Sequence, residues 1–188
     1  VASAELVTSA QTIVSRKMNL TQQPVVLSFG AIKGGIRSNI IPDSVELIGT
    51  IRTFDEDMRQ NLFTDFRTIA EHVAAAHGAK AIAQIPFGPS YPKLVNDPEL
   101  TARMLPSLKK VAGAEVLQMD LLTVSEDFAF FSNEVPGFYF FIGSTPKGED
   151  AQAAPSNHSP KFLLDESSLP LATRALLQVS VDYLNGLR

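Results

Sequence analysis

The sequence has 188 residues, of which 45% are hydrophobic and 19% charged, and its formal net charge is −4. This composition is typical of a globular chain, and the charge gives no electrostatic basis for binding nucleic acid or an anionic membrane. No cysteine is present, which excludes a disulfide framework or a cysteine-based zinc site within these residues. No apolar run approaches the ~20 residues that span a bilayer. We take the cytoplasm as the default compartment, with an upstream signal peptide as the open alternative.

The first half of the sequence predicts a small α+β unit. Its predicted elements are a helix over 2–18, strands over 24–32 and 45–52, a helix over 56–77 and a strand over 80–86. Asp55 is a suitable N-cap for the second helix, and Gly78 is a suitable stop. The order is that of a ferredoxin-like unit whose first strand is absent.

A proline-rich passage separates this unit from the second half. Proline occupies positions 86, 89, 92 and 98, which is typical of a crossing between domains. The second half then predicts helices over 98–112 and 166–186, a short helix beginning at Ser125-Glu126-Asp127-Phe128, and strands over 114–119 and 138–143. The last strand is a continuous apolar run, which is typical of a strand buried on both faces. Along the final helix, helical spacing predicts one apolar stripe, made by Leu169, Ala172, Leu176, Val179 and Tyr183.

Asn39 and Arg52 lie on either side of a predicted turn and strand. An amide together with the planar fork of a guanidinium suits the carboxylate of a free amino acid. The two side chains come together only if the chain turns back between them. A solvated arginine and an asparagine in a turn are the alternative interpretation.

Two adjacent acids, Glu126 and Asp127, follow Ser125 where a short helix is predicted to begin. Ser125 could cap that helix while the acids complement its dipole. Alternatively, one acid orients a metal-bound histidine. The spacing alone does not choose between them.

His158 lies in a polar loop after the predicted buried strand. Loops at the carboxyl ends of strands carry many binding sites in α/β proteins, and neutral imidazole is the commonest metal ligand. A loop histidine is equally an ordinary surface residue, and a single ligand cannot hold a metal.

Four motifs occur in register along nearly the whole chain. They are GGIRSNIIPD over 34–43, GTIRTF over 49–54, SEDF over 125–128 and HSPKF over 158–162. Together they resemble the di-metal aminoacylase and carboxypeptidase family of metallopeptidases, and most closely its hippurate hydrolase and indole-acetyl-amino-acid hydrolase subgroup.

The resemblance implies a ferredoxin-like lid domain over residues 1–92 that also forms a homodimer. It implies that residues 93–188 are the C-terminal part of a zinc-exopeptidase-like α/β catalytic domain. The implied activity is metal-dependent hydrolysis of the amide bond of N-acyl amino acids or small peptides. Two divalent metals are implied, zinc or manganese first, with cobalt or nickel as alternatives.

The resemblance also implies roles for five residues of this chain. His158 matches the last metal ligand of the family, and Asn39 and Arg52 match lid residues that bind the substrate carboxylate, often in the partner subunit's site. Gly143 lies near a position where the family contacts substrate through its backbone. Asp127 matches an acid that orients a metal ligand or orders its loop.

The general base and the other metal ligands of the family have no counterpart in this sequence, and neither does the first strand of the lid. The chain also begins inside a helical pattern at Val1, without an initiator methionine. We therefore expect a fragment that is inactive alone, with a processed or trimmed N-terminus as the alternative. The rival functions are a non-catalytic dimerisation or binding module, and a dipeptidase or diaminopimelate deacylase of the same family.

Overall fold

A computed structural model describes residues 1–88 and 90–186. The chain forms two compact units. The first consists of Val1–Lys93 and Leu122–Glu126, and the second of Leu94–Leu121 and Asp127–Arg188. Pro89, one of the prolines of the predicted boundary, lies outside the described residues. The identification of the units as a lid and part of a catalytic domain stays a prediction.

The first unit contains two helices and a two-stranded antiparallel sheet. Its elements are α1 (Ala2–Thr12, continued by a π-helical turn at Ile13–Lys17), β1 (Val25–Lys33), β2 (Glu46–Thr53) and α2 (Glu56–Ala76). The carboxylate of Asp55 caps α2 as predicted, accepting a hydrogen bond from the Met58 N–H at 2.8 Å. Leu62 of α2 is fully buried against Ile13 and Leu27. Burial of one such leucine side chain stabilises the unit by roughly 1.5–3 kcal/mol.

The predicted third strand over 80–86 does not form. A strand requires a neighbour that completes its ladder of hydrogen bonds, and residues 80–86 pair with neither β1 nor β2. Residues 80–86 instead follow an irregular path, in which the Arg67 guanidinium donates a hydrogen bond to the Ile85 carbonyl. The observed order is therefore helix, strand, strand, helix, and the ferredoxin-like arrangement stays a prediction.

The sheet contains a bulge at Gly30. Phe29 pairs with Gly49 and Ala31 pairs with Ile48, so that Gly30 has no opposite residue. The strands approach so closely here that a Cβ atom on Gly49 would lie 2.4 Å from the carbonyl oxygen of Ser28. This close approach explains the glycine that begins the GTIRTF motif.

The second unit is built from helices. Its elements are α3 (Pro98–Ala112, followed by a 3₁₀ turn at Gly113–Glu115), α4 (Phe128–Glu134) and α5 (Ser168–Asn185). Asp182 of α5 accepts hydrogen bonds from Lys110 at 2.7 Å and from Ser107 at 2.6 Å, both on α3. These bonds, with a further one from Gln178, lower the pKa of Asp182 to about 2. In the described part of the chain, no helix has the length and apolar character to cross a membrane.

The two strands predicted for the second unit, over 114–119 and 138–143, are also absent. A side chain takes the place of a neighbouring strand at Tyr139. The Asn96 amide accepts a hydrogen bond from the Tyr139 N–H at 2.7 Å and donates one to the Tyr139 carbonyl at 2.8 Å. The backbone groups of Tyr139 that a sheet would pair are thus satisfied without one.

The final helix forms where predicted, but the predicted stripe is buried only in part, with Ala172 and Val179 half-buried. Ala175 is 2% exposed, whereas Leu169 and Leu176 of the predicted stripe are 51% and 62% exposed. Apolar residues lie on more than one face of α5, so their spacing does not identify the face that packs.

Candidate functional site

Arg52 lies near the end of β2, where it pairs with Val26, and its side chain is half-buried. Its Nη1 donates a hydrogen bond to the carbonyl of Thr123, a residue 71 positions later that directly precedes Val124 and the SEDF motif. The structure therefore places Arg52 beside the segment that leads into SEDF. Sequence reasoning missed Thr123, because every residue carries a carbonyl and no side-chain type marks this one.

Asn39 is exposed in the loop that joins β1 to β2. This loop leaves the sheet at the Lys33–Glu46 pair, whereas Arg52 lies six residues further along β2. At about 3.4 Å per residue, the separation along the strand is roughly 20 Å. The chain does turn back between the two residues, but the hairpin places Arg52 and the Asn39 loop towards opposite ends of the sheet.

His158 is exposed in a loop of tight turns. The N–H of Ser159 donates to the Ser156 carbonyl at 2.8 Å, and the N–H of Phe162 donates to the Ser159 carbonyl at 3.0 Å. These bonds order the backbone on both sides of the imidazole. The ring itself faces solvent, where a ligand or a metal can reach it.

The loop that carries His158 is closed at its base by Asp165, whose N–H donates to the Ser144 carbonyl at 2.9 Å. The Asp165 carboxylate accepts a hydrogen bond from the Ser167 N–H at 2.9 Å, and these contacts with Ser167 hold the pKa of the Asp165 carboxyl below its usual range. Gly143 immediately precedes this closure. Its position is open, since a Cβ atom there would meet nothing within 4 Å. The structure thus brings Gly143 to the base of the His158 loop.

Asp127 is the N-cap residue of α4, but its side chain makes no capping hydrogen bond. Its backbone is helical, with φ −74° and ψ −22°, whereas a capping residue is normally extended. Ser125 lies two residues before this position, so the interpretation of Ser125 as the cap is wrong. The exposed Asp127 carboxylate remains available, and its role in ordering a metal ligand stays a prediction.

Among residues 1–88 and 90–186, no three histidine, aspartate or glutamate side chains come together to hold a metal. His158 offers one nitrogen donor, whereas a protein zinc site takes three or four protein ligands. The donors in this part of the chain therefore do not fit a complete metal centre.

Residues 9–181 match the model of peptidase family M20/M25/M40. The chain is 34% identical over 178 residues to an N-acetyl-L-cysteine deacetylase of Bacillus subtilis, covering 95% of this chain and 40% of that protein. It is 32% identical over 183 residues to thermostable carboxypeptidase 2 of Saccharolobus solfataricus, covering 97% and 45%.

A solved structure with the same fold is the YXEP protein of Bacillus subtilis, described as a dinuclear metal-binding peptidase from the M20 family. The TM-score is 0.68 at 26% identity, over 98% of this chain and 45% of that one. The chain thus spans less than half the length of the proteins that it matches. It belongs to peptidase family M20/M25/M40.

Proposed function

We propose that the protein carrying this chain is a metal-dependent amidohydrolase that cleaves the amide bond of N-acyl amino acids, as a hippurate hydrolase does. The observation that carries the proposal is Arg52, a half-buried guanidinium with no acidic partner among the described residues. A guanidinium with free donors binds a carboxylate in bidentate fashion. The similarity to an N-acetyl-L-cysteine deacetylase supports a small acylated amino acid as the substrate.

In this proposal, Arg52 and Asn39 bind the carboxylate of the amino-acid part of the substrate, and Gly143 contacts the substrate through its backbone. A bound carboxylate fixes the amide for attack, and orientation of this kind removes part of the entropic barrier. His158 supplies one metal ligand, while Asp127 orients that imidazole or orders its loop. The separation of Arg52 from the Asn39 loop is compatible with the two residues serving different sites of a dimer.

We further propose two divalent metals, zinc or manganese first, with cobalt or nickel as alternatives. Such metals supply an activated water and polarise a scissile carbonyl. The similarity to a dinuclear metal-binding peptidase supports two ions rather than one. The remaining ligands and the general base have to come from outside the donors described here, so we expect the 188 residues alone to be inactive.

The proposed assembly is a homodimer through the first unit acting as the lid, in the cytoplasm, without nucleic-acid or membrane partners. The sheet supports this assembly because β1 and β2 pair only with each other in the described chain, which leaves an outer edge on each strand. A second copy of the chain can extend such an edge. Sedimentation of the purified protein tests the dimer, and a monomer at micromolar concentration contradicts it.

The decisive test of the proposed function is Arg52→Ala in the protein that carries this chain. Loss of a bidentate contact costs about 2–4 kcal/mol of transition-state binding, which is about 30- to 900-fold in kcat/KM for N-acyl amino acids. Arg67→Gln is the matched control, because that guanidinium also bonds a backbone carbonyl but has no proposed contact with substrate. An Arg52→Ala enzyme as active as its parent refutes the role.

Two further functions within the family remain rivals, a dipeptidase and a diaminopimelate deacylase. The similarity to a carboxypeptidase supports peptides as an alternative class of substrate. Turnover of matched acetyl, benzoyl and peptidyl substrates separates these functions, because they differ in the pocket that reads the acyl group. The rival from another class is a non-catalytic dimerisation module, which predicts a stable dimer and no turnover of any of these substrates with added zinc or manganese.

A further inference from the structure

The short segment Leu122–Glu126 groups with the first unit although the chain on both sides of it belongs to the second. We call this segment the 122–126 strap. The strap forms no helix or strand, and its Thr123 carbonyl accepts a hydrogen bond from Nη1 of Arg52. It is therefore an irregular segment joined to a sheet by an arginine.

The bond to Thr123 uses one of the five N–H donors of Arg52. Among the described residues, the guanidinium of Arg52 makes no other hydrogen bond and no ion pair, so the edge formed by Nε and Nη2 stays free. That edge can receive both oxygens of a carboxylate, while the carbonyl holds the plane of the guanidinium. A hydrogen bond through Nη1 is thus compatible with bidentate binding at the other edge.

Arg67 gives an internal comparison. It too donates to a backbone carbonyl of an irregular segment, that of Ile85. Arg67 lies on the exposed face of α2, however, whereas Arg52 is half-buried on β2. A partly buried cation loses hydration and has more to gain from an anionic ligand, which distinguishes Arg52 from a merely structural arginine.

We propose that the 122–126 strap is a positioning element of the substrate site, and that its Thr123 carbonyl orients Arg52 for the carboxylate of the substrate. This inference rests on the proposed function. It gives a physical reason for the position of the SEDF motif, since Ser125 and Glu126 form the end of the strap. A carbonyl two residues before the SEDF motif then positions the guanidinium of the GTIRTF motif.

The variant that tests the inference is Thr123→Gly. The Thr123 side chain is exposed, so glycine removes no packed group and retains the carbonyl while loosening the backbone. We expect KM for an N-acetyl amino acid to rise about fivefold with kcat nearly unchanged, because the extra freedom of a glycine weakens the orientation of Arg52. KM for the matched N-acetyl amino acid amide, which has no carboxylate, should stay constant. Thr123→Val is the conservative variant, because it keeps a β-branched residue, and its KM and kcat should equal those of the parent.

An equal effect of Thr123→Gly on the acid and the amide, or no effect on either, overturns the positioning role. Arg67→Gln is the control, and it should leave the ratio of the two KM values unchanged.

A second measurement tests the strap independently of activity. The chain has no cysteine, so nitroxide labels can be placed at Ser28→Cys and Val124→Cys, which are exposed positions in the first unit. We expect a narrow distance distribution by pulsed electron resonance, which broadens in Arg52→Gln and not in Arg67→Gln. A broad distribution in the parent protein overturns the strap whatever the activity. A narrow one in a protein that hydrolyses no N-acyl amino acid refutes the proposed function and leaves the strap intact.

Discussion

Replacement of Gly49 by alanine tests the close approach of β1 and β2. The new Cβ atom would lie 2.4 Å from the Ser28 carbonyl oxygen, whereas favourable carbon–oxygen contacts lie at about 3.3–3.6 Å. The strands therefore have to separate locally by about 0.9 Å, and the obstacle is backbone that cannot rotate away. Overpacking of this kind costs about 1–3 kcal/mol. For a chain of this size, that predicts a fall in Tm of about 2–12 °C.

The matched control is Gly30→Ala, one strand away in the same bulge. A Cβ atom on Gly30 would meet nothing within 4 Å, so we expect its free energy of unfolding to stay within about 0.5 kcal/mol of the parent. Thermal unfolding followed by far-UV circular dichroism, with urea unfolding as a check on the slope m, compares both variants. A Gly49→Ala protein as stable as its parent, or a Gly30→Ala protein that is equally destabilised, refutes the reasoning from the bulge.

Three further predictions follow from the second unit. Asn96→Ala should lower the free energy of unfolding, measured in urea titrations, by about 1–3 kcal/mol, because the backbone of Tyr139 loses both of its hydrogen bonds to the Asn96 amide. The control is Asn133→Ala at an exposed position, which should change this free energy by less than about 0.5 kcal/mol. The pKa of Asp182 is lowered in the folded state to about 2, so its contribution to stability is present above the unfolded pKa of about 3.9 and is lost as the pH falls towards 2. The Tm difference between the parent and Asp182→Asn should therefore shrink over that range, and a difference that grows on acidification contradicts the assignment. His158→Ala in the protein that carries this chain should reduce the metal content per subunit measured by mass spectrometry, and an unchanged content rules out its role as a ligand.

The helices of this chain were predictable because their signals are local. The Asp55 cap and the apolar spacing along α2 predicted its bounds to within a residue, and the structure confirms them. Strands 24–32 and 45–52 were also predicted correctly, because each has its own apolar pattern and the two, which are consecutive elements of the chain, pair with each other. Neither prediction required information from a distant part of the chain.

The predictions that failed concern segments whose state depends on a distant partner. Residues 138–143 are as apolar as a buried strand, but the pairing of Tyr139 with the Asn96 amide takes the place of a sheet. Residues 80–86 fail in the same way, because they have no strand beside them among the described residues. Composition records how much apolar surface a segment carries, and it does not record which neighbour will satisfy the backbone.

The candidate site also has one part that was predictable from local sequence and one part that depends on distant contacts. The sequence by itself determined the family, through four motifs in register, and it identified Arg52, Asn39 and His158 as the residues with suitable chemistry. Only the tertiary structure placed the Thr123 carbonyl against Arg52 and set the Asn39 loop towards the other end of the sheet from it. The chemistry of a side chain is known from its residue type. A backbone carbonyl is the same at every position, and it acquires a role only when the fold brings it close to a donor.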